Sequence, residues 1–586
     1  MKRKIVNSPL ILILPFLLYS CGGTVKKAGG RPEVVVHMQA DPESLNPDCY
    51  TSAEASNVLR FMFESPMDID FKTLELVPVL VEGKPLVEKL ELGKLKFTYR
   101  LRPEAKWDNG APITAKDVDF SMKIIKNPKV NNPQTKPLYE HLSEFIYDSS
   151  DPLKYSLIYD TTYIGAEMNC GAFPILPEYF YDPKGLMKDF TVKQITLEKE
   201  KLAADPKINE FANEFNSEKY AREKNFFSGS GPYSFEEWVT GQRVVLKRKE
   251  NWWGDKLKGT NLFFEANAPK LIYKVVNDMT SALVALKAGD LDVMHTILAK
   301  NFAELEKSDK FKANYNAYTP MSLSYYYLGI NMKRPKFADR RTREALAHLI
   351  DVNKMIQTVM YGYAQVTIGP IHPSKTKLYN SEIKPYEYDL EKARKLLADA
   401  GWKDSNNDGT IDKVIDGQRT EFTIDFTYNA GSDYRKQTIL LFQEEARKVG
   451  IKVNVLAQEW AIFVDNSKKH NFDMLYGGWI AAPVLPDLKQ IYHTESALNG
   501  GSNYTASGNA KSDALIDSIR VEMDEEKRNG MYKRIQQMLH DEVGMIYLYA
   551  PTERIAIHKR FVNAETSVMR PGYYEASFTT AEMEKK

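Results

Sequence analysis

The chain has 586 residues, of which 43% are hydrophobic and 27% are charged, a composition typical of soluble globular proteins and a length sufficient for more than one domain. It carries 79 Lys and Arg residues against 78 Asp and Glu residues. Because these charges balance, no net field draws the chain to nucleic acid, and a nucleic-acid-binding function is disfavoured.

The first twenty residues have the pattern of an export signal. Three basic residues at positions 2–4 precede a mostly apolar run, Ile5–Leu18, which is shorter and more interrupted than a membrane-spanning helix. The run ends in Leu-Tyr-Ser-Cys, which resembles the end of a bacterial lipoprotein signal. This pattern predicts a signal peptide over residues 1–20 and lipidation of Cys21. A plain secretory signal followed by an incidental cysteine is the alternative.

The segment after this signal predicts a tether. Residues 21–31 are rich in Gly and Lys and lack apolar periodicity, as a flexible connection between a membrane and a domain does. Export would place the two remaining cysteines, Cys49 and Cys170, where disulfide bonds persist. They are therefore a candidate disulfide pair, and two unpaired thiols are the alternative.

The predicted elements of the N-terminal half are two strands, one capped helix and a charged helical segment. Residues 34–37 and 96–101 are short, rich in β-branched or aromatic residues, and bounded by turn residues, as strands are. Thr114 and Asp117 form a capping box that begins an amphipathic helix. Residues 186–225 are highly charged with little apolar content, which predicts solvent-exposed helices.

In the C-terminal half, two helices are predicted from their capping residues. Asp351 begins one, and Asp389 begins another that Gly401 ends in a left-handed conformation. Three further strands are predicted at residues 243–247, 422–426 and 452–456. The alternation of strands and helices indicates an α/β protein.

The sequence contains no recognisable catalytic motif. Its nine histidines form neither an HExxH motif nor a close pair, so no zinc hydrolase site is visible. Ser230 lies in SGSGPY, which lacks the first glycine of a nucleophile elbow and predicts a turn. No phosphate-binding GxxxxGK[ST] loop occurs, so the sequence has no sign of a nucleotide-hydrolysing site of this type. We therefore expect a protein that is not an enzyme.

The segment DSNNDGTID, residues 404–412, has the spacing of a calcium-binding loop. Ile415 occupies the twelfth position, where a bidentate Glu would close an EF-hand. The alternative is a loop whose Asp and Asn side chains satisfy its own backbone. A bound calcium ion would brace the loop rather than take part in chemistry, and no other cofactor is expected. The candidate calcium ligands are Asp404, Asn406, Asp408 and Asp412.

Residues 97–122, FTYRLRPEAKWDNGAPITAKDVDFSM, closely resemble the signature of family 5 of the extracellular solute-binding proteins, the peptide- and nickel-binding components of ABC importers. A single motif of this kind is weak evidence, but six segments in the family's order are specific. The other five segments are residues 229–254 (GSGPYSFEEWVTGQ to NWWG), 285–293 (ALKAGDLDV), 337–351 (FADRRTREALAHLID), 388–402 (YDLEKARKLLADAGW) and 450–455.

This resemblance implies a bilobal periplasmic-binding-protein-like fold, in which two α/β lobes joined by crossing strands close on a ligand about a hinge. Carried onto this chain, it assigns residues 32–277 to the N-terminal lobe, with an extra subdomain at about residues 76–204. Residues 278–549 form the second lobe, and residues 550–586 return to the first.

The resemblance also places the ligand in the cleft between the lobes, where closure removes water. In peptide-binding relatives, residues matching Trp460 and Trp479 form side-chain pockets; core packing of both residues is the alternative. Backbone contacts to a peptide are implied at the remaining positions, except Tyr476, which occupies a place where some relatives have an arginine for the ligand carboxylate. The candidate ligand-binding residues are Tyr50, Thr51, Ala53, Trp460, Tyr476, Gly478, Trp479 and Ile480.

One position departs from the peptide-binding pattern. Such relatives generally place an Asp three residues after the second tryptophan, where it pairs with the ligand's α-ammonium, and this chain has Ala482 there. Burying an ammonium group without a partner costs several kcal/mol, so a standard free amino terminus is not expected at that point. Asp487 could substitute only if the loop containing Pro483 and Pro486 bends it back.

We therefore expect an exported, lipid-anchored, monomeric solute-binding protein at the periplasm or cell surface. It would capture a peptide or another small polar solute and deliver it to an ABC permease complex. A sensor or chaperone without a transport partner is one alternative, and a surface hydrolase is another.

Overall fold

The computed structural model describes residues 31–132, 135–498 and 500–583. The predicted signal peptide, the lipidation site Cys21 and the tether up to residue 30 lie outside the described residues. Of the helices within those ranges, none combines the length and the apolar character that crossing a membrane requires.

The strands lie in two large sheets, one small sheet and two hairpins. In chain order they are β1 (Val34–Met38), β2 (Met67–Ile69), β3 (Leu76–Pro78), β4 (Leu86–Lys89), β5 (Leu95–Arg100), β6 (Leu142–Tyr147), β7 (Lys154–Tyr159), β8 (Tyr233–Val239), β9 (Arg243–Arg248), β10 (Lys270–Val275), β11 (Val293–Met294), β12 (Tyr315–Tyr318), β13 (Ser324–Ile330), β14 (Ala364–Val366), β15 (Asp412–Ile415), β16 (Gln418–Glu421), β17 (Thr423–Asn429), β18 (Lys452–Gln458), β19 (Met474–Ile480), β20 (Met545–Pro551) and β21 (Ile555–His558).

The α-helices are interspersed with these strands. In chain order they are α1 (Ala53–Leu59), α2 (Ala115–Lys126), α3 (Ala166–Gly171), α4 (Glu178–Tyr181), α5 (Val192–Leu197), α6 (Lys199–Leu202), α7 (Pro206–Phe215), α8 (Glu218–Arg222), α9 (Met279–Ala288), α10 (Ala299–Leu305), α11 (Asp309–Asn314), α12 (Arg340–Ala347), α13 (Val352–Thr358), α14 (Leu390–Asp399), α15 (Asp433–Lys448), α16 (Trp460–Lys468), α17 (Lys489–Tyr492), α18 (Ala510–Val521) and α19 (Glu525–Glu542).

The elements predicted from capping and strand signals are confirmed. The Asp117 carboxylate accepts a hydrogen bond from the Thr114 backbone N–H at 2.9 Å at the start of α2. Asp389 accepts from the backbone N–H of Lys392 at 2.9 Å at the start of α14, and Gly401 ends that helix with a φ of +90°. The five predicted strands correspond to β1, β5, β9, β17 and β18.

The first lobe is built on a seven-stranded sheet in the order β12-β21-β11-β1-β10-β9-β8. Its centre is parallel, since β1 pairs with both β10 and β11 in the same direction. Strand β1 is buried along its whole length, as the central strand of a sheet covered on both faces should be.

A subdomain extends the first lobe. Its antiparallel sheet, β4-β5-β7-β6, lies within the predicted range of about 76–204. Apolar residues of α2, α5 and α7 belong to the same hydrophobic core as those of the seven-stranded sheet. The subdomain therefore shares the core of the first lobe rather than forming an independent one.

The second lobe is built on a six-stranded sheet in the order β14-β20-β13-β19-β17-β18. Strand β17 is parallel to β18 and β19, whereas β13 is antiparallel to β19 and β20. Separate apolar clusters cover its two faces, one containing residues of α12 to α15 and the other residues of α16 to α19.

The boundary between the lobes differs from the prediction. Strands β11 and β12 belong to the first sheet, where β11 pairs with β1 and β12 pairs with β21. Helices α9 to α11 pack apolar residues against Val35 and Ala556 of the same sheet. The first lobe therefore extends through Tyr318 rather than ending at residue 277, because strand pairing over long sequence separations decides which sheet a segment joins.

Two crossing segments join the lobes in an antiparallel arrangement. Between β12 and β13, Met321 forms a bridge with Thr552, which lies between β20 and β21. The backbone N–H of Ser322 donates to the Pro551 carbonyl at 2.8 Å, and that of Glu553 donates to the Pro320 carbonyl at 2.8 Å. The predicted return of the chain to the first lobe near residue 550 corresponds to the second of these segments.

The predicted disulfide bond is absent from the structure, which contains Cys49 and Cys170 as free thiols. Cys170 is fully buried in α3, within the core of the subdomain. Cys49 is partly exposed, and its Sγ atom donates to Asn216 Oδ1 at 3.6 Å. Burial raises the pKa of the Cys49 thiol to about 12, so this thiol is protonated at neutral pH.

Asp292 connects three distant parts of the first lobe. Its fully buried carboxylate accepts from the Val35 backbone N–H at 2.8 Å and from Arg560 Nε and Nη2 at 2.8 and 2.7 Å. Arg31 Nη2 lies 3.0 Å from Asp292 Oδ1. One carboxylate therefore connects β1, the segment before β11 and the segment that returns from the second lobe.

We predict that Asp292→Ala lowers the free energy of unfolding by about 3–5 kcal/mol, because it leaves the buried Arg560 guanidinium without its partner. Urea unfolding followed by tryptophan fluorescence measures this loss. The control is Asp290→Ala, which removes an exposed ion pair with Lys274 at 3.6 Å and should cost less than about 1 kcal/mol. Equal losses in the two variants would contradict the role assigned to Asp292.

Candidate functional site

A cavity of about 530 Å³ lies between the two lobes, and we call it the interlobe cavity. The first lobe contributes Thr296, Arg554 and Arg570, and the second contributes Tyr326 and Tyr434. Its volume is within the range of small-molecule binding sites. Residues from both lobes line it, so movement of one lobe relative to the other would open or close it.

A smaller pocket of about 180 Å³, the inner pocket, lies in the first lobe beside this cavity. It is lined by the C-terminal part of β1, by α1 and by the second crossing segment. Thr296, Glu553 and Arg570 line both spaces. The two spaces are therefore adjacent, and we call them together the cleft; the inner pocket lies at the carboxyl edge of β1, the usual ligand position in open α/β sheets.

Tyrosine side chains form the second-lobe wall of the interlobe cavity. The rings of Tyr326 and Tyr434 are 5.9 Å apart in an edge-to-face arrangement. Glycine at position 478 makes room for this wall, because a Cβ atom there would lie 2.5 Å from the Tyr326 ring. On the other face of the sheet, Gly477 makes room for the buried Tyr327, whose ring a Cβ atom would approach to 2.4 Å.

The cleft also contains polar side-chain atoms without partners. Ser432, which precedes α15, and Thr552, on a crossing segment, both line the interlobe cavity. The hydroxyl oxygens of both residues are buried, and neither makes a hydrogen bond within the described part of the chain. Buried hydroxyl groups without partners are costly, so these two are available to a polar ligand.

Two histidines of the inner pocket are uncharged at neutral pH. Burial, with smaller contributions from His37, Arg60 and Arg570, lowers the pKa of His295 to about 3. His295 Nδ1 lies 2.9 Å from the Tyr573 hydroxyl. Burial also lowers the pKa of His37, whose Nε2 lies 3.0 Å from the Val276 carbonyl oxygen. His37 and His295 therefore add no positive charge to the inner pocket at neutral pH.

Tyr476 does not reach the cleft. Its side chain is 1% exposed, and its hydroxyl forms a 2.7 Å hydrogen bond with that of Tyr549. Its ring lies beneath Tyr326, with the ring centres 5.8 Å apart. Tyr476 therefore supports the tyrosine wall, and the structure does not place its side chain on the surface of the cleft.

The two predicted tryptophans lie outside the two cavities. Trp479 is half-buried beside Tyr504, with ring centres 5.7 Å apart, and its buried Nε1 has no hydrogen-bond partner among the described residues. Trp460 is 60% exposed and stacks on Phe463, so it is not a core residue. Ile480 is also exposed, with 67% of its surface accessible. Trp460, Trp479 and Ile480 therefore do not line the interlobe cavity with Tyr326.

Three ligand-binding residues are predicted in the first lobe, and they differ in whether they line the cleft. Ala53 begins α1 and lines the inner pocket. Thr51 instead binds Glu43 Oε1, with its hydroxyl donating at 3.0 Å, and Tyr50 packs on the first-lobe core. Of these three residues, Ala53 is the one that the structure places in the cleft.

Peptide-binding relatives have an Asp at the position of Ala482, and Asp487 does not take the place of that Asp in this chain. Its carboxylate accepts from the Tyr163 hydroxyl at 3.1 Å and from Arg520 Nε at 3.0 Å. Lys375 Nζ donates to the carbonyl oxygens of residues 483 and 484, which holds the intervening loop in place. Because Tyr163 belongs to the first lobe, Asp487 connects the two lobes rather than the protein to a ligand.

Sequence reasoning missed several residues that line the cleft. The aromatic run Tyr325–Tyr327 in β13 was the one local signal of the tyrosine wall. Glu553 and Arg570 lie in the C-terminal segment, where no motif marked them. Both residues line the cleft because the chain returns to the first lobe there. This return brings them beside Thr296, more than two hundred positions earlier in the sequence.

The candidate calcium loop uses its side chains on its own backbone. Asp404 accepts from the backbone N–H groups of Asp408 and Gly409 at 3.2 and 2.9 Å. Asp412 pairs with Arg419 at 3.1 Å. Among the residues that the structure describes, no group of three or more His, Cys, Asp or Glu could hold a metal ion. The loop thus favours the alternative interpretation, in which the side chains satisfy the backbone.

We predict that Asp404→Ala lowers stability by about 1 kcal/mol through the loss of these backbone contacts, and by the same amount with calcium or with a chelator. Thermal melting under both conditions measures this effect. A fall in the melting temperature of the unaltered protein on chelation, absent in Asp404→Ala, would instead establish calcium binding by this loop.

An open groove of about 1080 Å³ lies on the first lobe and is lined by first-lobe residues. Segments that resemble the family signature form it. Lys249 Nζ lies 2.6 Å from Asp108 Oδ1, and the indole nitrogens of Trp252 and Trp253 donate to the Ser230 carbonyl at 2.8 and 3.0 Å. The ion pair joins the two segments, and the tryptophan contacts hold the turn within the second segment, so the matching residues have a structural role here. Ser230 is buried in the turn between them.

Glu64 lies behind this groove, and both its carboxylate oxygens are buried without a hydrogen-bond partner among the described residues. Burial raises its pKa from 4.5 to about 8. A carboxyl group whose pKa is raised in the folded state stabilises the fold below pH 4.5, and this contribution is lost as the pH rises through 8.

We predict that Glu64→Gln has the stability of the unaltered protein at pH 5 and exceeds it by at least about 1 kcal/mol at pH 8.5. Urea unfolding at the two pH values measures the difference. The exposed Glu250→Gln on the rim of the same groove should show no such pH dependence. A gain for Glu64→Gln that is equal at both pH values would contradict a protonated Glu64.

Known proteins are similar to this chain over both of its lobes. A family model described as bacterial extracellular solute-binding proteins, family 5 Middle, matches residues 75–499. The oligopeptide-binding protein AppA of Bacillus subtilis is 27% identical over 574 residues, 95% of this chain and 95% of that protein. The periplasmic oligopeptide-binding protein OppA of Salmonella typhimurium is 25% identical over 535 residues, 87% of this chain and 85% of that protein.

A solved structure supports the same fold. The structure of Bacillus subtilis AppA in complex with a nonapeptide matches with a TM-score of 0.65 and 24% identity, covering 95% of this chain and 99% of that chain. This similarity spans both lobes and confirms the predicted bilobal α/β fold.

Proposed function

Since this chain belongs to family 5 of the bacterial extracellular solute-binding proteins, we propose that it captures a peptide or another small polar solute between its lobes and delivers it to an ABC importer. Membership also establishes that the chain is an extracytoplasmic binding protein and not an enzyme. The specific ligand, the importer and the lipid anchor are parts of the proposal.

The observation that carries the proposal is the interlobe cavity. Its volume of about 530 Å³ fits a small ligand, and the two lobes contribute opposite walls. A ligand held there would lose its water on both sides when the lobes close, which strengthens each polar contact that it makes. Such a site is suited to holding a solute rather than to breaking its bonds.

Contacts between the lobes support a mechanism of hinged closure. The Tyr163 hydroxyl donates to Asp487 at 3.1 Å, and the backbone N–H of Ile164 donates to the Arg520 carbonyl at 2.9 Å. Val484 and Met523 of the second lobe pack against the core of the first. These contacts are few compared with those inside each lobe, as a closure that must reverse requires.

The relatives favour a peptide as the ligand. Two of them are named as oligopeptide-binding proteins, and AppA of Bacillus subtilis was solved with a nonapeptide. The tyrosine wall and the unpaired hydroxyl groups of Ser432 and Thr552 suit a ligand that has both apolar and polar groups along its length. The sequence further favours a monomer anchored to the membrane through lipidated Cys21.

We predict that the purified protein binds short peptides and that Tyr326→Ala weakens binding at least about tenfold, because it removes a wall of the cavity. Titration with a mixed peptide library, followed by native mass spectrometry, measures binding and shows whether the peptides remain intact. Tyr388→Ala, on an exposed tyrosine of the same lobe outside both cavities, is the matched control. Peptide cleavage would favour a hydrolase, and equal affinity in the two variants would exclude the cavity as the site.

A further inference from the structure

Glu553 is a buried carboxylate at the junction of the interlobe cavity and the inner pocket. It lies on the second crossing segment and lines both spaces. The residue is 9% exposed, and within the described residues its carboxylate has one ion pair, with Arg570. A buried carboxylate without hydrogen bonds is costly unless a cation or donor reaches it.

The cations nearest to Glu553 do not satisfy it. Arg570 Nε lies 3.8 Å from Glu553 Oε1, beyond hydrogen-bond distance, and the Arg570 side chain is 56% exposed. Arg554 donates to the carbonyl oxygens of Ile297 and Thr552 instead. Glu553 is therefore paired only loosely, with a solvated guanidinium that has freedom to move.

Of the other basic residues near the cleft, Lys300 lines the interlobe cavity but not the inner pocket. Arg60, which lies deeper in the first lobe, is paired with the fully buried Glu575. His37 and His295 have lowered pKa values and are neutral at pH 7. A small cationic group that enters the cleft therefore has Glu553 as its nearest buried counter-charge.

We infer that Glu553 binds a primary ammonium group of the ligand, the role that Ala482 cannot perform. The inference rests on the proposed function and specifies which end of the solute the cleft recognises. The backbone N–H of Glu553 is held by the Pro320 carbonyl at 2.8 Å, so both crossing segments position this residue. An ammonium group bound to Glu553 would replace Arg570 in its ion pair with Glu553. Arg570 could then bind an anionic group of the same ligand.

The test compares two lysine-free tetrapeptide libraries, one with free amino termini and one acetylated, against the full mature protein. Native mass spectrometry measures bound peptide. We expect the unaltered protein to bind the free library at least about tenfold more tightly than the acetylated one, as the loss of one buried charge pair requires. Glu553→Gln should weaken binding of the free library to the level of the acetylated library. Glu54→Gln, on the other acidic residue of the inner pocket, should leave the preference intact.

The outcomes separate this inference from the proposed function. If the unaltered protein binds both libraries equally, or if Glu553→Gln keeps the preference, Glu553 is not the ammonium site although peptide binding stands. Loss of the preference in Glu54→Gln alone would assign the role to Glu54 and overturn the inference. If neither library binds, the proposed peptide-binding function fails. Should Glu553→Gln not fold, equal binding of the two libraries by the unaltered protein would still overturn the inference.

Discussion

The structure depends on the antiparallel ladder that crosses between the lobes. Strands β12 and β13 on one side and β20 and β21 on the other pair in both sheets, and the bridge between Met321 and Thr552 continues the pairing across the gap. Among the described residues two chain segments cross there, and each sheet has its own core on either side of them. Because Glu553 lies on this crossing, a ligand held there would contact the hinge itself.

The cleft combines an aromatic wall on one lobe with charged and polar groups on the other. Tyr326 and Tyr434 supply apolar surface with little conformational entropy to lose, while the crossing segment supplies Glu553 and Thr552. Gly478 has a definite role in this arrangement, since any larger residue there would displace the Tyr326 ring. Specificity in such a site comes from a few polar groups placed against a mostly preformed surface.

The strongest family signature lies away from the ligand site. Asp108 and Lys249 join two segments of the first lobe, and the tryptophans at 252 and 253 hold the Ser230 turn. These residues hold together the first lobe of this chain, whereas the residues that line the proposed ligand site lie elsewhere. This division explains how membership can be clear from sequence while the ligand of an individual member is not.

The sequence alone determined the local elements and the family. Capping residues such as Asp117 and Asp389 and the alternating strand segments act through neighbouring residues, so their effect is readable without a fold. Tertiary structure alone decided that residues 279–318 join the first lobe, that Tyr476 is buried and Cys49 unpaired, and that Glu553 faces a cavity. The reason is physical: strand pairing and burial depend on contacts between segments hundreds of residues apart, which local patterns do not encode.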